Sequence, residues 1–174
     1  MQKITSAATS LNQVPALIKL IEKEKAFKDD MVVLDYGAGR YQTAQNYVQG
    51  IARVTYLRYD PYNLSEEDNY VALNLKADIV ILSNVLNVVQ QREDRIKILE
   101  QCRDQMKTGA RLYVRVYNAP RSAKYQIAPD PGQPTMNGTC WQNCQPLTFY
   151  MDEIREVLDL ERGTSAYLVA KLKE

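Results

Sequence analysis

The chain has 174 residues, a length that fits one domain with one buried core. Hydrophobic residues make up 45% and charged residues 25%, which excludes disordered and fibrous classes, and a net charge of +1 excludes a strong non-specific grip on nucleic acid or anionic membrane. No histidine is present and the three cysteines (Cys102, Cys140, Cys144) are few and odd in number. A Cys/His zinc site, a disulfide framework and every histidine-dependent nucleophile or base are therefore excluded.

In chain order, Asn12 to Lys25 reads as an amphipathic helix, with Val14, Leu17, Ile18 and Ile21 at helical spacing and Pro15 in its first turn. Met31 to Asp35 is a short apolar strand ending in an acid, the pattern of a strand covered on both faces. Gly37-Ala38-Gly39 interrupts it, and Tyr41 to Gln49 reads as a second helix. Val54 to Tyr59 is the next strand, closed by Asp60-Pro61, and Asn69 to Leu73 is expected as a short edge strand. Asp78 to Ser83 is a second fully buried strand.

Gln91 to Lys107 is the strongest helix, placing Ile96, Leu99, Cys102 and Met106 on one stripe, with Gly109 where a left-handed cap belongs. Ala110 to Tyr117 is expected as a strand, Phe149 to Leu158 as a helix and Ala166 to Leu172 as a closing strand. Alternation of this kind predicts a parallel sheet with right-handed crossovers and helices on both faces, an α/β three-layer sandwich with a Rossmann-like sheet spanning residues 1–174 as one domain. From about 118 to 147 the chain holds five of the seven prolines, which predicts an irregular lid or substrate loop. Trp141 lies inside it, either pinning the loop to the core or facing a ligand.

A glycine-rich turn after a buried first strand brings backbone close to a ligand at the carboxyl edge of the sheet. The turn Asp35-Tyr36-Gly37-Ala38-Gly39-Arg40-Tyr41 carries two glycines of G-x-G-x-x-G, with Gln42 at the third, which disfavours a dinucleotide and an NAD-linked oxidoreductase. Asp60 ends the second strand 21 residues after Gly39, the spacing expected of an acid that accepts hydrogen bonds from ribose hydroxyls, although Asp60-Pro61 also reads as a plain turn starter.

These segments together resemble the class I S-adenosylmethionine-dependent methyltransferases. Val33 to Gly39 looks like their first motif, Tyr59-Asp60-Pro61 like the second, Asp78 to Val89 like the fourth and Gly109 to Val114 like the entry to the fifth strand. Gly-Ala-Gly-Arg-Tyr, Tyr-Asp-Pro-Tyr-Asn, Ser-Asn-Val-Leu-Asn-Val and Trp-Gln-Asn, with the pattern from Thr5-Ser6 to Pro15, are similar to a little-characterised bacterial and phage methyltransferase-like group. The resemblance spans about Val14 to Leu172. It implies S-adenosylmethionine as cofactor, with Asp35, Gly37 and Gly39 near its methionine part, Tyr36, Ala38 and Tyr41 also among the cofactor-binding residues, and Asp60 on the ribose. Pro61 and Tyr62 would flank the adenine, and Ser83, Asn84 and Val85 would lie where the methyl donor faces its acceptor.

Ser83-Asn84-Val85-Leu86 is not the motif of exocyclic-amine DNA methyltransferases, and no Pro-Cys pair of the cytosine-C5 type occurs there. Methyl transfer needs alignment first and a base only for acceptors that lose a proton. Candidate groups are Tyr36, Tyr41, Asn87, Tyr117 and Asn118, with Gln142 and Asn143 beside Trp141 for substrate contact. Along the last long strand Arg111, Tyr113, Arg115 and Tyr117 alternate with apolar residues, so one face is expected to be partly open, with Arg115 near substrate. Arg121 and Lys124 continue a basic cluster. The acceptor stays open between a small molecule, a nucleotide or nucleic acid, and a protein. A cytoplasmic monomer or homodimer with no membrane partner and no metal is expected. The other reading is a methyltransferase-fold module that acts through contact with a partner, as in phage-host interaction.

Overall fold

The computed structural model describes residues 11–117, 143 and 145–174. Six strands among them form one sheet: β1 (Val32–Tyr36), β2 (Thr55–Tyr59), β3 (Ala77–Ser83), β4 (Met106–Arg115), β5 (Asp159–Gly163) and β6 (Leu168–Lys171). Their order is β2-β1-β3-β4-β6-β5. β2, β1, β3 and β4 pair in parallel, while β6 pairs antiparallel to both β4 and β5. The result is a mostly parallel α/β sandwich of the Rossmann-like type, as the alternation predicts.

Side chains alternate across the sheet and divide its core into two layers. Val33, Tyr56, Ile79, Ile81, Tyr113 and Val169 face α1 (Ala16–Lys23) and α2 (Thr43–Ile51), which contribute Leu17, Ile18, Ile21, Ala44 and Val48. Leu34, Leu57, Val80, Leu82, Leu112, Val114 and Leu168 face the other way. There they meet α3 (Glu66–Leu73), α4 (Arg92–Asp104) and α5 (Met151–Val157) through Ala72, Leu99, Cys102, Ile154 and Val157.

Four sequence expectations need correction. Asn69 to Leu73 is the second half of helix α3, not an edge strand. Ser65 caps it by accepting from the Asp68 amide at 3.1 Å, and Glu66, Glu67 and Asp68 fill the first turn, where negative charge favours the helix. α4 stops at Asp104, and Met106 opens β4 opposite Ala77, so Gly109 is not a helix cap. Gly109 sits within β4 at φ +81°, where the register with β3 shifts. Strand β5 was not expected, because Asp159-Leu-Glu-Arg-Gly163 lacks an apolar alternation. It forms because β6 offers an open edge. Phe149 lies in a 3₁₀ turn (Leu147–Tyr150) that precedes α5, not in the helix itself.

Arg95 of α4 and Glu153 of α5 form a buried bidentate pair, at 2.8 and 2.6 Å. Nη1 of Arg95 also donates to the Val89 and Gln90 carbonyls, and its guanidinium lies 5.7 Å from the Tyr150 ring centroid. Four hydrogen bonds and a counter-charge therefore compensate this buried charge, the condition under which such a pair is tolerated. No helix among the described residues is long and apolar enough to cross a membrane. Glu153→Gln leaves Arg95 buried without its counter-charge, so chemical denaturation is expected to show a loss of about 3 kcal/mol.

Candidate functional site

A cleft of about 570 Å³ opens at the carboxyl ends of β1, β2, β3 and β4. The chain leaves β1 toward β2 on one side and returns to β3 on the other, so this is the switch point of the sheet. Tyr36, Gly37, Ala38, Gly39 and Tyr41 line it from the first loop, and Asp60, Pro61 and Tyr62 from the second. Ser83, Asn84 and Val85 line it from the end of β3, and Arg115 and Tyr117 from the end of β4.

The first loop is held in one shape by the end of β2. The amides of Gly37 and Ala38 donate to the Tyr59 carbonyl at 2.7 and 3.1 Å. Gly39 is gripped at both ends of its backbone: its N–H donates to Asp60 Oδ2 at 2.9 Å and its carbonyl accepts from Arg58 at 2.9 Å. Gly37 and Gly39 adopt φ of +85° and +69°, where side chains are disfavoured. A Cβ on Gly37 would lie 2.3 Å from a methyl of Val85, so the loop can approach β3 only with glycine there.

Asp60 is 3% exposed. Besides Gly39, its carboxylate accepts from the Tyr62 amide at 2.9 Å, the Asn63 amide at 3.0 Å and the Asn63 side chain at 3.0 Å. All four bonds come from its own chain, two on each oxygen, so Asp60 ties the two loops together in addition to bordering the cleft.

Asp35 does not line the cleft. It is buried behind the glycine loop and accepts from the Tyr56 hydroxyl at 2.8 Å. Burial raises its pKa to about 6, against the opposing effects of Tyr56 and Arg58 and with a further push from Asp60. Tyr36 points its hydroxyl at Gln101, to which it donates, and its ring lies 4.5 Å from that of Tyr59. Burial drives the Tyr36 phenol far above its ordinary pKa, so it serves as a neutral donor and not as a base.

Asn87 is 1% exposed and lies outside the cleft lining, and its side-chain oxygen has no partner among the described residues. Its backbone carbonyl accepts from the Asn143 amide at 2.6 Å, and Asn143 is buried there instead of facing the cleft. Asn118, Trp141, Gln142, Cys140, Cys144, Arg121 and Lys124 fall outside the described residues. Sequence reading missed the α4 side of the cleft, where Asp94, Lys97 and Gln101 project. Their spacing of three and four residues, polar on a helix expected to be apolar on one stripe, was the available signal. Gln13 and Ala16, at the start of α1, close the opposite wall.

The face of β4 is open at its ends and covered in the middle. Arg111 is exposed and paired with Glu161 at 2.7 Å, Tyr113 packs into the α1 layer, and Arg115 reaches the cleft. For Asp35, the folded pKa near 6 lies above the ordinary 3.8, so its contribution to stability is fully present below pH 3.8 and is lost as pH rises through 6. Thermal unfolding of Asp35→Asn should therefore match wild type near pH 4 and exceed it at pH 8, by at most about 3 kcal/mol.

No family model matches the chain, and no curated protein matches it either. Solved structures do. CalO1, a methyltransferase in calicheamicin biosynthesis seen with S-adenosylhomocysteine bound, aligns with a TM-score of 0.59 at 16% identity, over 90% of this chain and 53% of that one. The CcbJ methyltransferase from Streptomyces caelestis aligns with a TM-score of 0.60 at 11% identity, over 98% and 97%. The glycopeptide N-methyltransferase MtfA, complexed with S-adenosylmethionine, aligns with a TM-score of 0.56 at 12% identity, over 92% and 95%. The chain thus spans about half the length of CalO1 and nearly all of CcbJ and MtfA. The glycine turn, the switch-point cleft and these alignments agree: the chain has the fold of the class I S-adenosylmethionine-dependent methyltransferases.

Proposed function

We propose that the chain is an S-adenosylmethionine-dependent methyltransferase. The observation that carries this reading is the cleft itself, with two positive-φ glycines beneath it and its walls drawn from four parallel strand ends. At about 570 Å³ it has the size of a small-molecule site. The residues present fit a nucleoside with an amino-acid tail. Gly37, Ala38 and Gly39 allow close backbone approach, Asp60 and Asn63 offer polar atoms at the second loop, and Pro61 and the half-exposed Tyr62 supply flat apolar surface.

The cofactor supplies a methyl group on a sulfonium, an electrophile that needs no activation by the protein. The protein's part is alignment and exclusion of water. Tyr36, fixed by Gln101, and Asn84, held at φ +58° with its amide on the Arg115 carbonyl at 2.8 Å, are rigid walls for that purpose. A ribose hydroxyl reaching Asp60 would displace the Asn63 side chain, whose bond to the carboxylate is the one most readily exchanged because it belongs to a side chain and not to the loop backbone.

Calorimetric titration with S-adenosylmethionine and S-adenosylhomocysteine tests the reading. Micromolar binding of both is expected, and absence of binding by either would end it. Gly37→Ala should weaken S-adenosylhomocysteine at least tenfold, because the new methyl group forces the loop and Val85 apart.

A further inference from the structure

Arg115 is the last residue of β4, opposite Ser83 of β3, and its half-buried side chain lines the cleft. One guanidinium nitrogen, Nη1, donates to the Ala166 carbonyl at 2.7 Å, which fixes the group in place. No carboxylate among the described residues pairs with it. The neighbouring charges are all satisfied. Arg111, four residues earlier on the same face, is bidentate to Glu161 at 2.7 and 3.0 Å. Lys97, the other described cation in the cleft wall, pairs with Asp94 at 3.2 Å. The carboxylate of Asp60 is saturated by its own chain. The cleft therefore holds one positive charge without a described counter-charge, on a group whose planar fork suits an oxyanion.

Resting on the methyltransferase reading, we propose that Arg115 anchors an acidic group of the methyl acceptor, so that the acceptor is a small carboxylate-bearing molecule. The sheet places it on the acceptor's side of the cleft. β1 carries the glycine loop, β3 lies next to it and β4 next again, so Arg115 stands about two strand spacings, ~10 Å, from the loop. An acid seated there has its remaining atoms directed past Ser83 and Asn84, between Arg115 and the glycine turn. A sulfonium in the same cleft would add a second positive charge, which repels cationic acceptors and favours an anion between the two. Tyr117, half-exposed at the rim, offers a flat surface to an aromatic acid.

The test uses benzoate and its neutral isostere benzamide as probes, titrated calorimetrically into the protein saturated with S-adenosylhomocysteine. Wild type is expected to prefer benzoate by roughly tenfold to a hundredfold, the range of a charge-assisted contact. Arg115→Gln should erase the preference, Arg115→Lys should retain part of it, and Arg111→Gln, on the same strand but outside the cleft, should leave it intact. No preference in wild type, or one that survives in Arg115→Gln, overturns the proposal. So does a selective loss of S-adenosylhomocysteine over 5′-methylthioadenosine in Arg115→Gln, since that would assign Arg115 to the cofactor's own carboxylate. Failure of wild type to bind either nucleoside would instead remove the methyltransferase reading. The acceptor role of Arg115 would fall with it, and a benzoate preference measured on the free protein would then show an anion site and nothing more.

Discussion

The carboxylate of Asp60 joins the loop after β1 to the loop after β2, and the shape of the cleft depends on that junction. Parallel pairing of β1 with β2 brings Tyr36 opposite Tyr59, so the two loops leave the sheet side by side. A carboxylate that accepts from Gly39 on one loop and from Tyr62 and Asn63 on the other makes them a single rigid floor. Arg58 completes the grip by holding the Gly39 carbonyl. With the floor fixed, Gly37 can sit against Val85 and the cleft extends across to β3 and β4.

Charge is distributed unevenly around this floor. Beneath it, Asp35 is buried with Tyr56 as its hydrogen-bond donor, and its carboxyl is pushed toward the neutral range by loss of solvent. On the opposite face of the sheet, Arg95 and Glu153 are buried together as a bidentate pair, joining α4 to α5 beside the 3₁₀ turn. Arg111 and Glu161 form a solvated pair on the outer surface. Arg115 differs from all of these in facing the cleft with a backbone carbonyl as its partner. Such a group shapes the electrostatic field that an incoming ligand meets.

Much of the architecture was legible in the chain because buried parallel strands have an unambiguous signature. Met31 to Leu34 and Ile79 to Leu82 are continuous apolar runs, and they lie in the central strands β1 and β3. Most residues expected around the ligand line one cleft, since the glycine turn and the strand ends are local features whose position follows from the sheet. Misreadings fell where local and long-range signals compete. Asn69 to Leu73 has strand-like residues, yet the Ser65 cap and three acids before it nucleate a helix. Gly109 resembles a helix stop, but the pairing of Met106 with Ala77 extends the strand backward past it. Asn143, expected as a ligand contact beside Trp141, is buried with its backbone amide on the Asn87 carbonyl, a placement no local pattern announces.

The sequence by itself determined that the chain is of the α/β class, that a glycine turn follows its first buried strand, and that its 174 residues offer no histidine chemistry. These follow from composition and from periodicities that act over a few residues. Only the tertiary structure decided that Asp60 bonds four groups of its own chain, that Asp94, Lys97 and Gln101 of α4 form a wall of the cleft, and that Arg115 is the cation there without a described carboxylate. Those outcomes depend on groups that meet across long stretches of chain, as Gly39 meets Asp60 across 21 residues and Arg115 meets Ala166 across 51. Distance along the sequence carries no record of such meetings; they are set when the sheet brings the strand ends together.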